Sequence, residues 1–472
     1  MKGKKSSETL PIAEIYFYYG SWLFGIIYSA YHVYQVGNRL VYAIESDLIR
    51  GWTFLNRKKD NADEEWKIWV NFIFYVISPW ILVHFIGAQI INYYKVTILP
   101  LCLLMVFSKS RILIWLVSYI LYHIFTHDKM SWLYSVSDED LKLVIPTLMW
   151  IYLRCISFCM HIINQRISLF SVYNFFGYVF YLPCFFLGPI LLYNEFYQQL
   201  YSRRKKYTII SILYLIGHNL RYFLWLFVTE FILHFIYFNS LLSYIDILSQ
   251  IQYDSVWIMY GIGFFMGQFF FLKYIVVYGL ALTWTRAEGY KTPNPPKCIA
   301  CICLYSDMWR YFDQPLYFFI KKYIYNPCLE YMSPKSQFTK IAVSFLCFIF
   351  IYVWHGLHYS IFMWSLLNYS GIIVEITAKQ ISKTKYYCNF KKTIGFRNEQ
   401  RLIGFICAPL TIISAISNFY FLGGTEVAET YLNYIFMRGS LYNTLCLWFF
   451  VYSLCQVSLQ IRNSKKNVGS KI

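Results

Sequence analysis

Charge is what this sequence has least of. Only 14% of its 472 residues are Asp, Glu, Lys or Arg, where a soluble domain carries about a quarter. That leaves too little polar surface to cover a water-soluble fold of this length, and an ordinary globular protein in water is excluded. Negative charge is scarcer still: 24 Asp and Glu stand against 42 Lys and Arg, for a formal net charge of +18. In a soluble chain that balance points to nucleic acid. Here the basic residues fall in short runs between apolar stretches, so the reading is positive-inside topology with contact to membrane lipid headgroups, and no nucleic acid. Metal-binding spacing is also missing. The 13 cysteines are odd in number, no Cys-x-x-Cys pair is flanked by histidine, and the spacing of Cys298, Cys301 and Cys303 is wrong for a zinc ribbon. Cys155, Cys159 and Cys347 lie in apolar runs and read as buried thiols. No internal repeat or long linker divides the chain, so residues 1–472 read as one membrane domain.

Apolar residues, by contrast, make up 58% of the sequence, and aromatics alone 22%, with 46 Tyr and 42 Phe. A helical span takes about 20 mostly apolar residues. Candidate spans run near 16–36, 67–92, 95–125, 141–163, 207–240, 255–284, 340–356, 357–378, 402–422 and 440–461. The expectation is an all-α polytopic membrane protein with about ten transmembrane helices. Two apolar stretches look irregular. One, Tyr178–Phe196, is broken by Pro183, Gly188 and Pro189; the other, Tyr311–Tyr325, holds Asp313, Pro315, Lys321 and Lys322. Non-helical backbone survives at membrane depth only where protein or water surrounds it, so both read as re-entrant or cavity-lining; a kinked span or surface helix is the alternative.

Basic residues set the orientation. The tails 1–14 and 462–472, the run 202–206 and the stretch 379–401, with Lys379, Lys383, Lys385, Lys391, Lys392, Arg397 and Arg401, are expected on the cytosolic side. The loop Gly423–Arg438, with Glu426 and Glu429, is then lumenal, and the joint Trp354-His355-Gly356 lies toward the lumen. The apolar stretch from Ile15 is too long for a signal-peptide core and reads as a first span that stays in place.

His355 lies deep in apolar sequence, FIYVWHGLHYSIFMW. An ionisable group in a span is costly and usually faces a cavity or a partner. Imidazole also moves protons near neutral pH. The alternative is a packing histidine bonded to a backbone carbonyl. His358 follows three residues on, but no Asp or Glu accompanies the pair, so no metal site is expected. The other histidines read as structural. Asp313, in DMWRYFDQPLYFF, has two readings: a carboxylate that orients a histidine or binds an amine, or the partner of Arg310 in an i,i+3 ion pair.

The pairing of WRYFD with a downstream VWHG resembles the membrane-bound O-acyltransferase (MBOAT) family. LPIAEIYFYYGSWLFGIIYSAYHVYQV, DEEWKIWV, YVFYLPCFFLGPIL, PPKCIACICLYSDMWRYFD, YIYNP, LNYSGIIVE and SNFYFLGGTEVAETYLNYIF are similar to its Hedgehog-acyltransferase branch of protein-cysteine N-palmitoyltransferases, in order along essentially the whole chain. The aromatic richness has an insect-like character. The resemblance implies helices and re-entrant segments around a central tunnel. It implies palmitoyl-CoA as co-substrate and, as acceptor, the N-terminal cysteine amine of a secreted signalling protein of Hedgehog or EGF-like type. It implies the endoplasmic reticulum or Golgi membrane as location. His355 and Asp313 become the expected catalytic pair, with Trp309, Arg310 and Asn418 as substrate-binding candidates. Arg310 suits CoA phosphates as well. Cys298 matches a haem-ligating position; an acylated or plain thiol is the alternative. Gln314-Pro315 after Asp313 departs from the family pattern, in which smaller or apolar residues are common. A branch relative with an altered histidine motif is inactive, whereas this sequence keeps both His355 and Asp313. Direct amide formation and an S-to-N shift both stay open. So do two further alternatives: acylation of a lipid or sterol, and a non-catalytic role.

Overall fold

The computed structural model describes residues 10–90, 138–165, 172–200, 208–245, 248, 255–332, 336–438 and 440–469. The expected span 95–125 and the basic run 202–206 lie outside the described residues. The described residues are mostly helical, and among them one antiparallel hairpin pairs Leu48–Arg50 with Lys58–Asp60. Among the described residues, eight helices are long and apolar enough to cross a membrane, as a multi-pass membrane protein requires.

The elements that position the site are α1 (Ile12–Arg39), α2 (Glu64–Phe72), α3 (Ser78–Ile90), α4 (Asp138–Gln165), α5 (Ile209–Leu233), α6 (Ser255–Ala287), α7 (Tyr305–Tyr311), α8 (Gln314–Ile320), α9 (Gln337–His355), α10 (Tyr359–Ile381), α11 (Lys385–Leu432) and α12 (Leu441–Gly469). Polar side chains just before the helices set several of these starts. Asp63 accepts the Trp66 N–H ahead of α2, Thr208 that of Ser211 ahead of α5, Ser336 that of Thr339 ahead of α9 and Thr384 that of Tyr387 ahead of α11. The stretch expected as a lumenal loop, 423–438, is helical instead. α11 runs through it with a non-helical step at Gly424, and π-helical Asn433–Arg438 follows.

α6 is the central strut, packed against α1 and α5 and touching α11. α10 and α12 flank α11. Two segments expected on the cytosolic side, the N-terminal tail and 379–401, meet each other. Glu14 pairs with Arg401 at 2.6 Å, and Arg462 pairs with Asp307 at 3.1 Å. From Arg401, α11 climbs 22 residues to Gly423, about 33 Å at 1.5 Å per residue, which is the thickness of a hydrocarbon core.

The Pro-rich stretch is irregular and inside the protein, as expected. Residues 181–193 are all buried, around a turn at Leu182–Cys184 and a cis Gly188-Pro189 bond. Backbone groups buried there need partners, because no water reaches them. One face of α4 provides many of these. Thr147 donates to Phe186 O at 3.1 Å, the Arg154 guanidinium to Val179 O at 2.9 Å and also to Cys184 O, and the Ser157 hydroxyl accepts the Tyr193 N–H at 2.9 Å. The second irregular stretch resolves into helix: α8, π-helical Lys321–Tyr325, then Asn326–Tyr331. It buries Leu316, Phe319, Ile320 and Tyr323.

Candidate active site

Gly356 ends α9. It adopts φ 111°, which a residue with a Cβ rarely takes, so the chain leaves the helix immediately after His355. α10 then starts at Tyr359 and packs back on α9. This reversal brings Trp364 edge-on to the His355 imidazole, with ring centroids 5.3 Å apart and planes at 90°. Phe421 of α11 stands 5.1 Å from the same ring and Trp354 4.5 Å. The imidazole is half-buried. Among the described residues, no donor or acceptor meets either ring nitrogen, so aromatic packing holds the ring and leaves both nitrogens free.

α7, which carries the Trp309-Arg310-Tyr311 part of WRYFD, is pinned on three sides. The Ser306 hydroxyl donates to Glu375 at 2.5 Å, Asp307 pairs with Arg462, and the Trp309 indole donates to Asn368 Oδ1 at 3.2 Å. Asp313 caps the next helix. Its Oδ1 accepts the Leu316 N–H at 3.0 Å and its Oδ2 accepts the Tyr278 hydroxyl at 3.0 Å. The i,i+3 ion pair between Arg310 and Asp313 is not formed. The stretch is not one helix: α7 stops at Tyr311, and Asp313 is the non-helical residue before α8. Arg310 is exposed, its guanidinium 5.8 Å from the Tyr317 ring. The unusual Gln314-Pro315 also finds its reason here, since proline is well suited to the first turn of a helix.

Asn418 accepts the Trp364 indole N–H through Oδ1 at 3.2 Å. Trp309 lies 5.5 Å from Trp364 ring to ring, and Asn368 donates to the Trp364 carbonyl at 2.8 Å. Trp364 therefore gathers three of the expected residues, His355, Trp309 and Asn418. Asp313 joins them indirectly. Ring contacts run from Trp354 to Trp150 at 5.8 Å and from Trp150 to Tyr278, the donor to Asp313, at 6.2 Å. Arg310 stands apart at the surface. Cys298 lies before the turn Ile299–Cys301 with its Sγ 3.5 Å from Gln268 Oε1.

Two cavities flank this cluster. One, of about 260 Å³, is apolar and is lined by Trp22, Gly263, Gln268, Ile299, Met308 and Asn418 among others. The second, of about 620 Å³, is polar and is lined by Asp63, Glu65, Asn239, Lys273, Phe421 and Glu426 among others. Lys273, itself buried, pairs with Asp63 at 3.0 Å and Glu65 at 2.7 Å. Leu422 lines both cavities, and Phe421 touches the polar cavity and the His355 ring. Neither cavity is lined by His355 itself.

Sequence reading alone missed Tyr278, Trp364, Asn368 and Phe421. Tyr278, Trp364 and Phe421 are aromatic residues within apolar helices of an aromatic-rich chain, with nothing local to set them apart. Asn368 offered a faint signal as an amide in the middle of a predicted span. The acids of the polar cavity lie in segments more than 350 residues apart, Asp63 and Glu426, and only the fold joins them.

A family model described as the membrane-bound O-acyltransferase family matches residues 90–417. Protein-cysteine N-palmitoyltransferase Rasp of Drosophila melanogaster is 28% identical, with 97% of each chain covered. Protein-cysteine N-palmitoyltransferase HHAT of Mus musculus is 29% identical over 60% of this chain and 56% of that protein. Membrane-bound O-acyltransferase GUP1 of Saccharomyces cerevisiae is 22% identical over 64% of this chain and 50% of that protein.

Proposed function

Since the chain belongs to the membrane-bound O-acyltransferase family, we propose that it transfers a palmitoyl group from palmitoyl-CoA to the N-terminal cysteine amine of a secreted protein of Hedgehog or EGF-like type, in the endoplasmic reticulum membrane. The names of the fly and mouse relatives support the reaction. The observation that carries it is an imidazole without a hydrogen-bond partner among the described residues, packed on Phe421, which lines the polar cavity next to Leu422, the residue that also lines the apolar one. An acyl chain suits the first cavity. A charged amine suits the second, where the acids Asp63, Glu65 and Glu426 outnumber Lys273.

An α-amine has a pKa of about 7.7–8.0 and must lose a proton to react. The ammonium gives that first proton to solvent, and in this reading His355 takes a second proton from the nitrogen as the neutral amine attacks the thioester carbon. The C–S bond then breaks, CoA leaves as thiolate, and the imidazolium returns the proton to it. Asn418 donates to the oxygen that gains charge, and Asp313 holds the amine or orients the base. The exposed Arg310 is on hand for the CoA phosphates, and Trp309, its N–H held by Asn368, would meet the substrate through its ring. Haem at Cys298 is part of the same reading. The thiol is half-buried and outside any disulfide, and its neighbours Ile299 and Ala300 line the apolar cavity. Cys298 would supply one thiolate ligand, and no step of acyl transfer runs through it.

The test is mass spectrometry of a synthetic peptide with a free N-terminal cysteine after incubation with palmitoyl-CoA and the purified full chain. An amide on the α-nitrogen is expected, and none on the N-acetylated control. Acylation of added lipid or sterol with no peptide product would replace this reading with the lipid-acceptor alternative.

A further inference from the structure

We propose that Trp364 is a positioning residue which sets the Asn418 amide so that its NH2 group faces the reacting thioester, and which braces the plane of the His355 ring at the same time. This rests on the acyl-transfer reading above.

An indole nitrogen only donates, so the Asn418 atom 3.2 Å from Trp364 Nε1 must be the amide oxygen. That bond fixes which way the amide points. Its Nδ2 is turned away from Trp364. Among the described residues no acceptor takes it, and Asn418 lines the apolar cavity. An amide free to turn by 180° would present its oxygen to an oxygen gaining negative charge, which repels. One hydrogen bond therefore separates an oxyanion donor from an oxyanion antagonist.

Trp364 is itself well held. It is buried, its carbonyl accepts from Asn368 Nδ2 at 2.8 Å, and its ring lies 4.6 Å from Phe421 and 5.5 Å from Trp309. The same indole meets the His355 imidazole edge-on at 5.3 Å. Base and donor thus share one rigid support, and their relative placement does not depend on the substrate.

The test is a double-mutant cycle on the purified full chain, with palmitoyl-CoA and an N-terminal cysteine peptide. Trp364→Phe keeps a ring against His355 and removes the N–H. We expect kcat to fall by about tenfold or more, with KM for both substrates unchanged within about twofold. Asn418→Ala should cost about 100-fold, and Trp364→Phe added to it should cost nothing further. Asn418→Asp keeps the acceptor for Trp364 and lacks the donor; it should be as slow as Asn418→Ala. Additive losses, an unimpaired Trp364→Phe, or a fully active Asn418→Asp would each overturn the proposal. A fully active Asn418→Asp overturns the proposal even if Trp364→Phe fails to fold. A wild-type chain that forms no amide overturns the reading beneath and this proposal with it, whereas an active wild type with an additive cycle overturns the proposal alone.

Discussion

The Tyr278 hydroxyl donates to Asp313 Oδ2 at 3.0 Å, while the other carboxylate oxygen caps α8 through Leu316. Asp313 is thus built into the fold as well as into the proposed reaction, and variants can separate the two. Asp313→Asn keeps an oxygen for the cap. It should leave the melting temperature in detergent nearly unchanged and slow acyl transfer by about tenfold or more. Asp313→Ala removes the cap, worth about 1 kcal/mol, and leaves the buried Tyr278 hydroxyl unpaired, at about 1–3 kcal/mol. It should be both slow and several degrees less stable. A fully active Asp313→Asn would reduce Asp313 to a helix cap.

His355→Gln should keep the fold, because aromatic packing rather than hydrogen bonding holds this side chain. The expected loss is about 10²–10⁴-fold in kcat, the usual worth of a positioned base. Single-turnover assays beside thermal melts check both halves of that statement.

Gly188 lies against the rear of the aromatic cage. A Cβ there would sit 2.6 Å from Trp150 Cε2, at a φ of 76°. Gly188→Ala must displace Trp150, which packs on Trp354 beside His355. The overpacking should cost about 1–3 kcal/mol of stability, with a drop in rate although no reacting group has changed. Wild-type rate and melting temperature in this variant would show that the cage tolerates movement.

Glu426 lines the polar cavity and, among the described residues, forms no ion pair. Glu426→Lys should raise KM for a peptide with a free amine by about two- to tenfold, less so at high salt, and leave KM for palmitoyl-CoA alone. An equal shift in both constants would move the acceptor's approach elsewhere.

Much of the fold was legible because lipid imposes simple rules on sequence. Apolar length marked the helices, and the joint expected at Trp354-His355-Gly356 falls where α9 ends at His355, with α10 starting at Tyr359. Pro183, Gly188 and Pro189 marked the irregular buried segment. Less legible was 423–438, where Gly423, Gly424 and two exposed glutamates looked like a loop; one non-helical step at Gly424 lets α11 carry on. Spacing also misled at Arg310 and Asp313, since the i,i+3 rule holds only within one helix and the chain breaks between them. His355 stood out as an ionisable group in apolar sequence. Trp364 did not, because its importance lies in what it touches, and those contacts come from α9, α7 and α11.

Leu422 faces both cavities. A donor loaded from one compartment and an acceptor arriving from the other would therefore lean on opposite sides of a single party wall. Direct transfer of the acyl group to the amine, with no acyl-enzyme between, requires both to be bound together. Double-reciprocal plots against the two substrates should then intersect, as they do when both must be aboard before anything leaves.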